Sequence, residues 1–171
     1  MRSKYETPLH LVKEGYLRED LERYWGRKLF KLHWYQKLDF GVLKDGLITG
    51  WVEVKHRYMK NTPTDIHLSL NKWIAGQQFT TYTGLPFIFV IRLNDGVDGD
   101  WMFVSEKNSP NDYNYIVGGR TVKQRDRQDI EPIIALPFRL FKKIGERVGG
   151  YDENSDDWNR RLEYYTNKGV N

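Results

Sequence analysis

Leu38-Asp39-Phe40-Gly41-Val42-Leu43 is followed by Lys44-Asp45-Gly46, and Leu47 to Tyr58 runs on through Gly50-Trp51-Val52-Glu53-Val54-Lys55-His56-Arg57. Two apolar, β-branched and aromatic runs separated by a glycine-containing turn read as a β-hairpin. Side chains alternate along a strand, so Trp51, Glu53, Lys55 and Arg57 share one face while Val52 and Val54 share the other. A glutamate and a lysine therefore point the same way from the middle of an otherwise apolar element. The face taken by Asp39 depends on the turn. If Lys44-Asp45-Gly46 is a three-residue loop with Gly46 left-handed, Leu43 pairs with Leu47 and Asp39 lies opposite Trp51, diagonal to Glu53. If Asp45-Gly46 is a two-residue turn, the register moves by one and Asp39 goes to the other face. The three-residue loop is the reading adopted; a bulge at Gly41 or Gly50 would alter the count.

Working outward, Glu19 to Leu32 reads as a helix from Leu21, Trp25, Leu29 and Leu32. Leu68 to Thr83 reads as a second helix stopped by Gly84 and Pro86. Pro86 to Leu93 is a nearly continuous apolar run, the pattern of a buried strand, and Trp101 to Ser105 returns as another. The order helix, hairpin, helix, strand, strand predicts an α/β domain with a mixed sheet flanked by helices. Residues 1–148 form the expected single domain, and residues 149–171 an appended arm with a helix around Trp158 to Tyr165.

The chain has 171 residues, enough for one domain with its own core. It has no cysteine, which excludes disulfides, thiolate zinc sites, iron–sulfur clusters and a cysteine nucleophile. Aromatic residues make up 15 % of the chain and charged ones 29 %, so rings carry much of a core inside a polar protein. The net charge of +4 is compatible with a polyanionic partner and does not by itself require one. No run approaches the apolar length of a membrane span and the first residues lack a signal-peptide pattern, so a cytoplasmic location is expected.

Two carboxylates and a lysine on one strand face suit one kind of chemistry. Magnesium takes oxygen ligands, usually one or two carboxylates completed by waters and substrate phosphates. A neighbouring lysine can orient the attacking water and offset developing negative charge. An isolated exposed Glu–Lys pair would contribute little energy and have no function. Asp39 at the right spacing, between a preceding acidic helix and a following amphipathic one, argues for the site.

With Asp39, Glu53, Val54 and Lys55 in place, the segment resembles the PD-(D/E)XK nuclease superfamily, the restriction-endonuclease-like fold. Its core is helix, three strands, helix, strand, with an acid on the second strand and Glu-x-Lys on the third. Leu38 stands where the family often has proline. The resemblance covers roughly Leu17 to Val104 by element order, and the whole is similar to small phage-encoded endonucleases. It implies a Mg2+-dependent DNA endonuclease, with Mn2+ able to substitute, in which Asp39 and Glu53 hold the metal and Lys55 positions water. It also implies a supporting glutamate on the first helix, with Glu22 the best match and Glu19 the alternative. Gln78 with Tyr82 resembles the Gln-x-x-x-Tyr motif of RecB-type members, with Gln77 competing for the role.

The DNA partner could be duplex or branched. Arg57 on the shared strand face, Lys72 on the second helix, and Arg120, Lys123, Arg125 and Arg127 after Gly118-Gly119 are the candidate phosphate contacts. An edge strand blunted by charge explains the last four equally well. Cutting both strands with one site per chain implies a homodimer. The competing functional reading is a non-catalytic nucleic-acid or junction-binding module on the same fold; a third is a partner-interaction protein whose charged strand face has no chemistry.

Overall fold

The structure is a computed structural model that describes residues 7–33, 36–58, 63–94, 100–105, 114–119, 130–145 and 153–168. The stretch holding Arg120, Lys123, Arg125 and Arg127 lies outside the described residues.

Helix α1 (Pro8–Trp25) begins earlier than the apolar spacing suggests. Thr7 caps it, its hydroxyl accepting from the His10 N–H at 3.3 Å, and Pro8 supplies a pre-set first turn. It ends at Gly26, whose φ of 59° is the left-handed cap that glycine adopts without strain. The expected helix over Glu19 to Leu32 is thus corrected. Leu29, assigned to that helix, belongs instead to strand β1 (Lys28–Lys31).

The hairpin follows as β2 (Phe40–Lys44) and β3 (Leu47–Tyr58), antiparallel as expected. Its turn is the two-residue alternative, because Lys44 pairs with Leu47. Asp45 and Gly46 have φ of 52° and 79°, the paired left-handed residues of a type I′ turn. That turn alone would send Asp39 to the wrong face. The strands correct it with a bulge: Leu43 pairs with Ile48 but Val42 with Gly50, leaving Thr49 as an extra residue on β3. Carried one residue beyond the Phe40–Val52 pair, the register puts Asp39 across from Glu53.

The chain then passes through β4 (Asp65–Ser69) and α2 (Leu70–Thr83) to β5 (Phe87–Asn94), which runs parallel to β3. Leu68 and Ser69, read as helix from sequence, belong to β4, while Gly84 ends α2 as expected. Strands β6 (Asp100–Ser105) and β9 (Lys142–Gly145) complete a six-stranded mixed sheet in the order β1-β2-β3-β5-β6-β9. A second sheet joins β4, β8 (Ile130–Pro137) and β7 (Asn114–Gly119).

The core lies on both faces of the large sheet. Leu17 and Leu21 of α1 pack with Leu29, Phe40, Val42, Val52 and Val90 on one. Trp51, Phe87, Phe89 and Ile91 pack with Trp73 of α2 and with Ile134 and Leu136 of the small sheet on the other. Helix α2 sits close because Gly76 faces Phe87; a Cβ there would lie 2.4 Å from that ring. Arg92, on β5 and 2 % exposed, forms an ion pair with Asp20 of α1.

Helix α3 (Asp156–Asn167) lies against α1. Ser155 caps it, and Asp156 and Asp157 fill its first turn. Trp158 stacks on Tyr16 at 5.9 Å, and Arg161 bonds both oxygens of Glu19 at 2.7 and 3.2 Å. No helix among the described residues is long and apolar enough to cross a membrane.

Candidate active site

Strand β2 gives out at Phe40, and Asp39 takes over its pairing with side chain as well as backbone. Its N–H donates to the Val52 carbonyl at 3.1 Å and its carbonyl accepts from Leu32 at 2.9 Å. Its carboxylate Oδ2 accepts from the Val54 N–H at 2.9 Å. The carboxylate is therefore fixed at the edge of β3, where the sheet hydrogen bonding would otherwise stop. Glu53 sits next to it on β3 and is only 6 % exposed.

The two acids converge on one cation. The Lys72 Nζ, from the first turn of α2, lies 2.9 Å from Glu53 Oε2 and 3.8 Å from Asp39 Oδ1. Lys31 Nζ lies 3.8 Å from the same Asp39 oxygen and also pairs with Glu14 of α1. Burial raises the Glu53 carboxyl well above its ordinary range, and the neighbouring Asp39 charge pushes the same way. For Lys72, burial works against the ammonium, but Glu53 and Asp39 outweigh it and the affinity for its proton rises. Both directions express the same fact: this pair of acids holds its charge only with a cation beside it.

Lys55 is placed differently. Its Nζ donates to the His67 carbonyl of β4 at 3.1 Å, clear of a direct ion pair with Glu53. Burial, with Arg57 nearby, lowers its amine from 10.5 to about 8. Glu14, Asp39, Glu53, Lys55, His56 and Arg92 line a common cavity of about 520 Å³ between the N-terminal half of α1 and β3.

The structure thus brings Asp39, Glu53 and Lys55 together, and adds Lys72 at the carboxylates themselves. Arg57 is exposed further along β3. Glu22 is elsewhere. It accepts the Leu29 N–H at 2.8 Å and pairs with Lys28 at 3.4 Å, joining α1 to β1. Glu19, the alternative, is held by Arg161. The helix acid that faces the cavity is Glu14, two helical turns before Glu22, or about 12 Å along the axis. Thr7-Pro8 is the signal for it: a helix started there puts Glu14 on the same stripe as Leu11, Leu17 and Leu21. Gln78 also falls away from the site. It is exposed on α2, beside Ile74, Gln77 and a Tyr82 that is 83 % exposed. Trp51 is a core ring, its indole N–H donating to Thr83 at 2.9 Å.

The Lys72 ammonium acts as a stand-in that tests the fit of a metal. Two carboxylate oxygens, one from β3 and one from the residue just before β2, already flank one positive centre, as a hard divalent cation requires. Among the described residues no group of three or more metal-ligating side chains converges. Two carboxylates are nevertheless the usual protein share of a magnesium site, the remainder being water and phosphate.

No curated protein matches the chain. The family model described as "Phage putative PDDEXK endonuclease" matches residues 1–144, which carry α1, the hairpin, α2 and β5 together with Asp39, Glu53 and Lys55. That match spans most of the 171 residues, and the chain belongs to this phage PDDEXK endonuclease family.

Proposed function

We propose that the protein is a Mg2+-dependent DNA endonuclease that hydrolyses phosphodiester bonds, with Mn2+ able to replace Mg2+. The observation that supports this best is the convergence of Asp39 and Glu53 on one cation, with Lys55 two residues further along the same strand face. Asp39 and Glu53 are the residues that would hold the metal. A bound divalent ion supplies Lewis acidity at the phosphate.

The chain's own groups do the rest. Asp39 is locked by three backbone partners, so one ligand needs no reorganisation when substrate arrives. Lys55, held by the His67 carbonyl, is placed to orient the attacking water and to offset negative charge developing on the phosphate. Glu14 takes the supporting role expected of Glu22, steadying Asp39 through Lys31. Arg57 stands further along the strand as a phosphate contact. Cleavage of both strands would take two copies of the chain, one site per strand.

The test is a panel of linear, nicked, single-stranded and four-way-junction DNA incubated with Mg2+ or with EDTA. Cleavage of at least one substrate, dependent on the metal and lost in Asp39→Ala and Lys55→Ala, is expected. A panel left intact in both Mg2+ and Mn2+, or an Asp39→Ala variant that cuts like wild type, defeats the proposal.

A further inference from the structure

Lys72 and Lys55 both reach the acidic centre, but they are held in different ways. Lys55 is tied to a backbone carbonyl on β4, which stays in place whatever happens at the carboxylates. Lys72 is tied to the carboxylates themselves, at 2.9 Å from Glu53 and 3.8 Å from Asp39. It reaches them on a flexible four-carbon stem whose side chain is one-third exposed, whereas Glu53 beneath it is nearly closed off. It therefore has solvent to move into, and Glu53 does not.

We infer that the Lys72 ammonium is an exchangeable counter-ion: it holds Asp39 and Glu53 together until a divalent cation takes the same position, and then swings out to the mouth of the site. This rests on the metal-centre reading above. A magnesium ion coordinates oxygen at roughly 2.0–2.1 Å. An ion held by both acids would take the carboxylate oxygens that Lys72 now pairs with. Two positive charges in one half-buried place repel strongly, because little water screens them. The divalent ion has the larger charge and the two fixed acids have nowhere to go, so the mobile lysine leaves. Lys31 does not have to follow it. It has no pairing with Glu53 to lose and keeps Glu14 as its partner. The arrangement gives the two acids a resident cation at all times, so a buried pair of like charges is never left uncompensated. It also releases a positive charge at the site when the metal arrives, where a phosphate backbone would approach.

The test uses the wild-type full chain, with Mn2+ as the probe and no DNA. Mn2+ binding is counted by equilibrium dialysis. In parallel, an amine-acetylating reagent is applied in EDTA or in Mn2+ at matched ionic strength, and acetylation is read residue by residue by peptide mass spectrometry. Lys28, with a side chain 81 % exposed, is the internal standard. Lys72 is expected to be protected in EDTA and to react several-fold faster once Mn2+ is bound, while Lys28 does not change. In Glu53→Gln, Lys72 is expected to react fast in EDTA and to lose its response to Mn2+. If Mn2+ binds and Lys72 labels at an unchanged rate, the exchange is wrong and the metal centre stands. The exchange is equally wrong if Glu53→Gln leaves Lys72 as protected as in wild type. If dialysis finds no bound Mn2+, the metal centre itself falls and the exchange with it.

Discussion

Helix α1 carries acids at both ends of its buried stripe, and the fold treats the two ends in opposite ways. At the C-terminal half, Glu22 caps the Leu29 N–H and pairs with Lys28, while Glu19 takes both arms of Arg161. Each of these acids has a fixed partner and a structural task, and the exposure of Lys28 and Glu19 puts both pairs at the rim. At the N-terminal half, Glu14 faces Asp39 and a nearly closed-off Glu53 across a cavity. There three carboxylates share the ammonium groups of Lys31 and Lys72. Ion pairs at the rim are weak and replaceable. A buried acid crowded by other carboxylates, as Glu53 is, is costly, and a fold keeps such an arrangement where it serves chemistry. The contrast separates joints from site without reference to any relative.

The sharpest way to break this comparison is to neutralise one acid at each end. Glu53→Gln keeps the side chain's shape and removes a carboxylate that would hold the proposed metal. DNA cleavage is expected to fall by at least about 10²–10³-fold, with the fold retained by circular dichroism. A variant cutting within a few-fold of wild type would show that the buried end is also only a joint. Glu14→Gln comes next. It acts through Lys31 on Asp39, so the expected loss is about 10- to 100-fold. It should be rescued in part by raising the Mn2+ concentration, since a loosened carboxylate weakens metal binding before it affects the attacking water. A loss indifferent to Mn2+ would remove Glu14 from the metal's support.

Glu22→Ala should show the reverse profile. The Leu29 N–H loses its acceptor at the α1–β1 joint, which costs about 1 kcal/mol of stability. The melting temperature should drop by a few degrees while cleavage stays within about twofold, far below the losses expected of a reacting group. If Glu22→Ala instead abolishes cleavage at a temperature where it is folded, the assignment of the helix acid reverts to the one suggested by the family resemblance.

How much of this division is legible in the sequence differs from residue to residue. Strand alternation is enough for Glu53 and Lys55, because a period of two leaves no freedom in the middle of a long strand. Asp39 reaches their company by a different route from the one expected. The type I′ turn at Asp45-Gly46 shifts the register by one residue, and Thr49, bulged from β3, shifts it by one more, which restores the face and sets Asp39 across from Glu53 instead of Trp51. Neither event is visible in a count of residues, since a bulge depends on local twist and on what packs beneath it. Glu14 escapes an apolar spacing that starts at Glu19; Thr7 and Pro8 hold the information about where the helix begins. Lys72 is nameable from sequence but not placeable. Its position depends on α2 approaching β5 over Gly76, a tertiary contact that no local pattern records.

The smallest effect lies at the α1–α3 contact, and it is a matter of pH. Asp157 is held down to about 2 by its hydrogen bond from Arg160 and then by that from Tyr16, against an ordinary value of 3.8. A carboxylate lowered on folding means that the folded chain binds fewer protons than the unfolded one between those two values. Stability therefore rises with pH across that window, is fully present above 3.8, and is lost as pH falls through about 2. Asp157→Asn keeps one of the two acceptor oxygens, puts an amide NH2 in place of the other, and cannot titrate. The urea midpoint of wild type should exceed that of Asp157→Asn above the window, with the gap closing as the acid limb is approached. Solvent reaches the carboxylate, so the gap is expected to be small and to shrink further in high salt. A gap that stayed constant from about pH 5 to about pH 2 would mean that these hydrogen bonds do not depend on the charge. The α3 contact would then draw its stability from the Tyr16–Trp158 stack and the Arg161–Glu19 pair, with no contribution from the Asp157 charge.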